Sequence, residues 1–127
     1  MDKKFFEGEL VSGLGEGAKF ILMKNYNSQI KEKLGFDIFP GTLNIKVDPK
    51  SNDLKERTFI EIEGFKLENK TYGKVRCYKA KLKEVEGAIL LPEFNKHKKD
   101  IIEFIAPIHL RSKFGLKDND RLRIDLI

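Results

Sequence analysis

Residues 40–47, PGTLNIKV, decide how this chain folds. Proline holds φ near its helical or turn value and glycine accepts φ > 0, so Pro40-Gly41 is a turn. Beyond it the side chains alternate: Leu43, Ile45 and Val47 share one face, and Thr42, Asn44 and Lys46 share the other. A period of two over six residues is a β-strand with one face against a core and one polar face.

Working outward, the same punctuation recurs. Phe5–Val11 reads as a strand with Gly8 as a bulge. Tyr26, Ile30 and Leu34 fall four apart and Gly35 follows them, which predicts a short amphipathic helix capped by Asn25 or Asn27. Further strands are expected over residues 58–63, 65–67, 72–82, 88–91 and 101–106. Residues 108–114 make one or two helical turns stopped by Gly115. Asp118-Asn119-Asp120 is a turn in which Asn119 can take the left-handed conformation, and Arg121–Leu126 is the last strand. Many short strands, few helices and no repeated βα alternation predict a mainly β fold, a small β-barrel with short helical insertions. No linker, repeat or low-complexity segment interrupts residues 1–127, so a single domain is expected.

Composition agrees and narrows the field. A chain of 127 residues can bury roughly two-thirds of its unfolded surface in one core. Its hydrophobic content of 40%, with ten Phe and no Trp, is that of a folded globular protein. The single cysteine, Cys77, lies among Val75, Tyr78 and Ala80 and reads as a buried, inert thiol. No apolar run approaches the ~20 residues of a membrane span and the charged N-terminus is not a signal peptide, so no membrane partner and a cytoplasmic location are expected. The net charge of +5 favours an anionic partner but does not separate a nucleotide enzyme from a DNA binder. The densest basic cluster, Lys96-His97-Lys98-Lys99, is a solvated loop at its simplest.

Three places could carry chemistry. In SGLGEGAKF, residues 12–20, glycines stand at 13, 15 and 17. They permit φ > 0 and leave backbone N–H groups open to phosphate oxygens, although a tight loop needs the same residues. Neither familiar phosphate loop fits: a Walker loop would need Gly at 18 and Ser or Thr at 20, where Ala18 and Phe20 stand. In the dinucleotide fingerprint the third glycine comes one residue later than here. Thr42 and Asn44 point two neutral oxygens the same way, a poor metal site alone but a reasonable one for Mg²⁺ beside a nucleotide triphosphate. The other possibility is the plain polar face of a barrel strand. Glu103, in IIEFIAP, is a carboxylate inside an apolar run; it is either exposed by alternation, paired, or held to bond or deprotonate a substrate hydroxyl. Neither His97 nor His109 has a partner at metal-ligand spacing.

GELVSGLGEG, GTLN and IIEFIAPIHLRSKFGLKDND, in this order and spacing, resemble the archaeal CTP-dependent riboflavin kinases, over nearly the whole chain. The resemblance implies a six-stranded cradle-loop barrel related to the riboflavin synthase and flavokinase barrels. It implies a phosphotransferase that moves the γ-phosphate of CTP to the ribityl 5′-hydroxyl of riboflavin, giving FMN and CDP. Carried over by position, Leu14, Gly15, Glu16, Gly17, Ala18 and Lys19 would wrap the nucleotide phosphates. Ile108, His109, Leu110, Arg111, Ser112 and Lys113 would frame the cytidine, with Arg111 and Lys113 near anionic groups. Thr42 and Asn44 would hold Mg²⁺, the implied cofactor. Asn95 and Glu103 would contact the flavin, with Glu103 as orienter or base for the hydroxyl. Two positions depart from the family pattern: Lys19 stands where an aromatic residue precedes Phe20, and Asn95 where a hydroxyl residue is familiar. Some members carry an N-terminal helix-turn-helix domain; this chain is expected to lack it, to act as a monomer and to bind no nucleic acid.

Two other functions compete. LRSKFGLKDNDRLRI also resembles the helix-turn-strand end of swapped-hairpin transcription regulators, but those domains are shorter and have no use for GLGEG or GTLN. A flavin carrier without catalysis would keep the ring contacts and would not need Thr42 and Asn44.

Overall fold

Eleven elements follow one another in the computed structural model, which describes residues 5–12, 23–48, 54, 57–93 and 100–127. They are β1 (Phe5–Val11), α1 (Lys24–Leu34), β2 (Leu43–Val47), β3 (Ile60–Ile62), β4 (Phe65–Leu67), β5 (Lys70–Tyr72), β6 (Val75–Leu82), β7 (Val85–Pro92), β8 (Ile101–Ile105), α2 (Leu110–Phe114) and β9 (Arg121–Leu126). All pairings are antiparallel, in the order β3-β6-β7-β8-β2-β1-β9, and β9 also pairs with β6. That last pairing closes β6, β7, β8, β2, β1 and β9 into a six-stranded barrel, with β3 as an extra strand beside β6. One edge of β6 is shared: Val75 to Cys77 pair with β3, while Ala80 and Lys81 pair with β9.

The alternation seen in β2 holds around the barrel. Phe6, Leu10, Ile45, Tyr78, Ile89, Phe104 and Ile124 belong to one buried cluster, the barrel interior. The opposite face of β3, β6, β7 and β8 is apolar as well, and α1 lies over it. Tyr26 and Ile30 of the helix pack with Ile62, Cys77, Ala88, Leu90 and Ile105. The helix is pinned by polar bonds to backbone. Tyr26 Oη donates to the Gly73 carbonyl at 2.7 Å, and the Gln29 amide both donates to the Glu63 carbonyl at 3.0 Å and accepts from the Glu63 N–H at 2.7 Å.

The departures from expectation have local causes. Gly8 is not a bulge: it keeps regular register with Val47 on one side and Leu122 on the other. It is glycine because a Cβ there would run into the Lys46 carbonyl. The α1 N-cap is Met23, without a side-chain cap bond, and neither Asn25 nor Asn27 takes that position. The run expected over 72–82 is two strands, with β5 turned back on β4 by Glu68 and Asn69, whose φ values are 50° and 64°. β7 begins earlier than expected because Lys83, at φ 54°, and Glu84 form a two-residue hairpin. Gly35 and Gly115 end the two helices in the left-handed conformation, and Asn119 takes φ 76° in the final turn, all as anticipated. Cys77 is fully buried, and burial pushes its thiol up to about 12.

Candidate active site

The alternation of β2 sends Leu43, Ile45 and Val47 into the barrel, so Asn44 must point outward. Outward does not mean exposed here, since Asn44 is 6% exposed. Its direct cross-strand partner on β8 is Glu103, at 7% exposure the other buried polar residue among those described. Directly opposed residues in an antiparallel pair share a face with Cβ atoms about 4.5–5.5 Å apart. The two candidate residues that sequence placed in separate motifs are therefore immediate neighbours.

The register extends this pair into a row across the outer face. Val11 pairs with Asn44, Asn44 with Glu103, Glu103 with Leu90, Leu90 with Cys77, and Cys77 with Ile60. The Leu90 and Cys77 end lies in the apolar cluster with α1. At the other end, Asn44 Oδ1 is buried and has no hydrogen-bond partner among the described residues. Such an orphan costs about 1–3 kcal/mol, and a hard-cation ligand or a substrate donor would remove the cost.

Thr42 precedes the strand proper. It lines a recess of about 100 Å³ with Phe39, Pro40, Gly41, Leu43, Phe104, Ala106 and residues 108–111. The Phe39 N–H donates to the Ala106 carbonyl at 2.9 Å, which brings the turn before β2 against the end of β8. The rings of Phe39 and His109 stack with centroids 4.7 Å apart, and Ser112 Oγ lies 2.5 Å from His109 Nδ1. Of the expected cytidine-framing residues, Ile108, His109, Ser112 and Lys113 are exposed and Arg111 is half-buried. The Leu110 side chain is committed to the barrel core.

Arg111 is held by Asp118, Nη2 to Oδ1, at 2.9 Å. The other oxygen of Asp118 accepts a 2.6 Å bond from Ser12 Oγ. These bonds, Ser12 first and Arg111 next, keep the Asp118 carboxyl below the usual carboxylate range. Thus Ser12, one residue beyond β1, is tied through Asp118 to Arg111 of α2.

The structure brings Thr42 together with residues 108–111 at the recess and sets Asn44 opposite Glu103 on the outer face of β2 and β8; neither Asn44 nor Glu103 lines the recess. Leu14, Gly15, Glu16, Gly17, Ala18, Lys19 and Asn95 lie outside the described residues. Sequence reasoning did not pick out Phe39, Ser12 or Asp118. An aromatic beside a turn, an exposed hydroxyl and a turn aspartate are each common anywhere, so none of the three carries a signal of its own.

The chain is similar to known proteins over nearly its whole length. Residues 10–126 match the family model CTP-dep_RFKase, described as domain of unknown function DUF120. The chain is 47% identical over 123 residues to the riboflavin kinase of Pyrobaculum islandicum, covering 94% of this chain and 58% of that protein. It is 47% identical over 120 residues to the riboflavin kinase of Pyrococcus furiosus, covering 92% and 56%. With the riboflavin kinase of Archaeoglobus fulgidus the identity is 41% over 126 residues, covering 95% and 54%. The chain thus spans little more than half the length of these curated relatives. Among the described residues no helix is long and apolar enough to cross a membrane. With the barrel, the buried Asn44–Glu103 pair and these matches together, the chain belongs to the archaeal CTP-dependent riboflavin kinase family.

Proposed function

We propose that this chain is a riboflavin kinase that uses CTP, transferring its γ-phosphate to the ribityl 5′-hydroxyl of riboflavin and releasing FMN and CDP. The observation that carries the proposal is the Asn44–Glu103 pair: two buried polar side chains, directly opposed, one with an orphaned oxygen. A purely structural barrel has no reason to bury an unpartnered amide oxygen beside a carboxylate.

Phosphoryl transfer asks a protein for alignment and charge stabilisation more than for covalent help. Glu103 accepts a hydrogen bond from the 5′-hydroxyl and takes its proton as the oxygen attacks phosphorus, while the bond to the β-phosphate oxygen breaks and CDP departs. Thr42 and Asn44 are the oxygens that would hold Mg²⁺, which when bound neutralises charge on the β- and γ-phosphates. The recess beside Thr42 receives the cytidine, with the Phe39–His109 stack as one wall. Arg111 and Lys113 supply positive charge toward the phosphates.

The test is direct. The protein is incubated with riboflavin, Mg²⁺ and each nucleoside triphosphate in turn, and FMN is separated chromatographically. CTP should support FMN formation far better than ATP. Equal turnover with both would remove the donor assignment, and no FMN with any nucleotide would overturn the proposal.

A further inference from the structure

The turn before β9 is built without help from Asp118. The Leu10 N–H donates to the Asp120 carbonyl at 2.8 Å and the Asn119 N–H to the Leu10 carbonyl at 2.7 Å. The Lys117 N–H donates to Asp120 Oδ2 at 2.8 Å and the Asp120 N–H to the Lys117 carbonyl at 3.0 Å. Asp120 and Asn119 hold the turn, and the turn is bolted to the end of β1. The Asp118 side chain takes no part in these bonds. It is spent instead on two residues from different parts of the chain, with Oδ1 on Arg111 at 2.9 Å and Oδ2 on Ser12 at 2.6 Å.

Both partners adjoin segments that the family resemblance gives to the nucleotide. Arg111 lines the recess, and Ser12 leads directly into the glycine-rich segment. Exposed ion pairs contribute little to stability, and this one is about half open to water, with side chains 33% and 49% exposed. What the geometry does supply is alignment: one carboxylate, on a turn locked by four hydrogen bonds, fixes both the guanidinium at the recess and the Ser12 hydroxyl just beyond β1. We propose that Asp118 is a positioning residue for the nucleotide, coupling Arg111 at the recess to Ser12 at the end of β1.

This rests on the kinase reading, and the experiment keeps the two apart. CDP binding is measured by calorimetry with Mg²⁺ for the wild type, Asp118→Asn, Ser12→Ala and the double variant, with riboflavin affinity and thermal midpoint alongside. Asp118→Asn and Ser12→Ala should each weaken CDP about 5- to 20-fold, and the double variant little further, because both break one link. Ser12→Thr, which keeps the hydroxyl, should bind as the wild type does. In turnover the KM for CTP should rise by a similar factor while kcat and the KM for riboflavin stay within about twofold. Unchanged CDP affinity in Asp118→Asn, with a wild type that binds CDP, would overturn the coupling alone. So would equal losses of riboflavin and CDP affinity with a fallen midpoint, the mark of a structural role. A wild type that binds no CDP would remove the kinase reading and the coupling together.

Discussion

Asn44 and Lys46 stand two residues apart on β2 with side chains on the same outer face of the barrel. One is 6% exposed and the other lies in solvent. Their neighbours diverge in the same way. The row through Asn44 runs Val11, Asn44, Glu103, Leu90 and Cys77, and is buried from Asn44 onward. The row through Lys46 runs Ile101, Lys46, Glu9 and Arg121, and its three charged members are exposed with alternating sign. A solvated face needs polar residues and is indifferent to which ones. A buried amide oxygen without a hydrogen bond, as at Asn44 on that same face, is costly unless something is to be bound there. The contrast is why function is assigned to the first row and only solubility to the second.

The largest expected effect comes from breaking the first row at Asn44. Asn44→Leu keeps approximate size and deletes the orphaned oxygen. FMN formation should fall by orders of magnitude, while the protein becomes more stable by about 1 kcal/mol because an unsatisfied buried group is gone. Thermal denaturation beside a Mg²⁺ titration of activity measures both. A stable variant with wild-type turnover would dissolve the distinction between the rows. Glu103→Gln preserves shape and hydrogen bonding and removes only the carboxylate's charge and basicity. A loss of about 10²- to 10⁴-fold in kcat is expected if it takes the hydroxyl proton.

Much of the first row was legible as residue types but not as a row. TLNIKV gave the strand and the outward direction of Asn44, and IIEFIAP marked Glu103 as out of place. Nothing local could show that they are partners, because the register between β2 and β8 is set by how the whole barrel closes. The same limit explains the fold's misread details. Phe5–Val11 and Arg121–Leu126 were bounded by strong turn signals and emerged as expected. The start of β7 was missed because Lys83 takes the left-handed turn conformation, a position where glycine or asparagine would have been the cue. Gly8 looked like a bulge because the Lys46 carbonyl that excludes a side chain there comes from a strand nearly forty residues away in sequence.

A smaller effect sharpens the buried end of the row. Burial raises the Cys77 thiol from 9.0 to about 12, so the folded protein disfavours the thiolate that the unfolded chain forms readily. The folded value is the higher one, so the contribution to stability is complete below pH 9.0 and is lost as pH rises from there toward about 12. Across that window the wild type should lose stability relative to Cys77→Ala. A thiol reagent at neutral pH should label the native protein only as fast as it unfolds. Rapid stoichiometric labelling of folded protein would mean that the row is open at this end.

The smallest effect is expected in the charged row. Glu9 lies between Lys46 and Arg121 in register, and the neighbouring Arg121–Glu7 pair has its side chains 66% and 43% exposed at 3.7 Å. Ion pairs this open are worth about 0–1 kcal/mol and are screened further at physiological salt. Lys46→Gln and Glu9→Gln should therefore change stability by no more than about 0.5 kcal/mol and leave the KM values for CTP and riboflavin as they are. The Lys46 variant is the more searching of the two, because its Cα is only two residues from Asn44 and a long cationic side chain can reach toward phosphate. A tenfold rise in the KM for CTP at unchanged stability would place Lys46 in the site. The boundary between the two rows would then lie one strand position further along β2 than burial alone indicates.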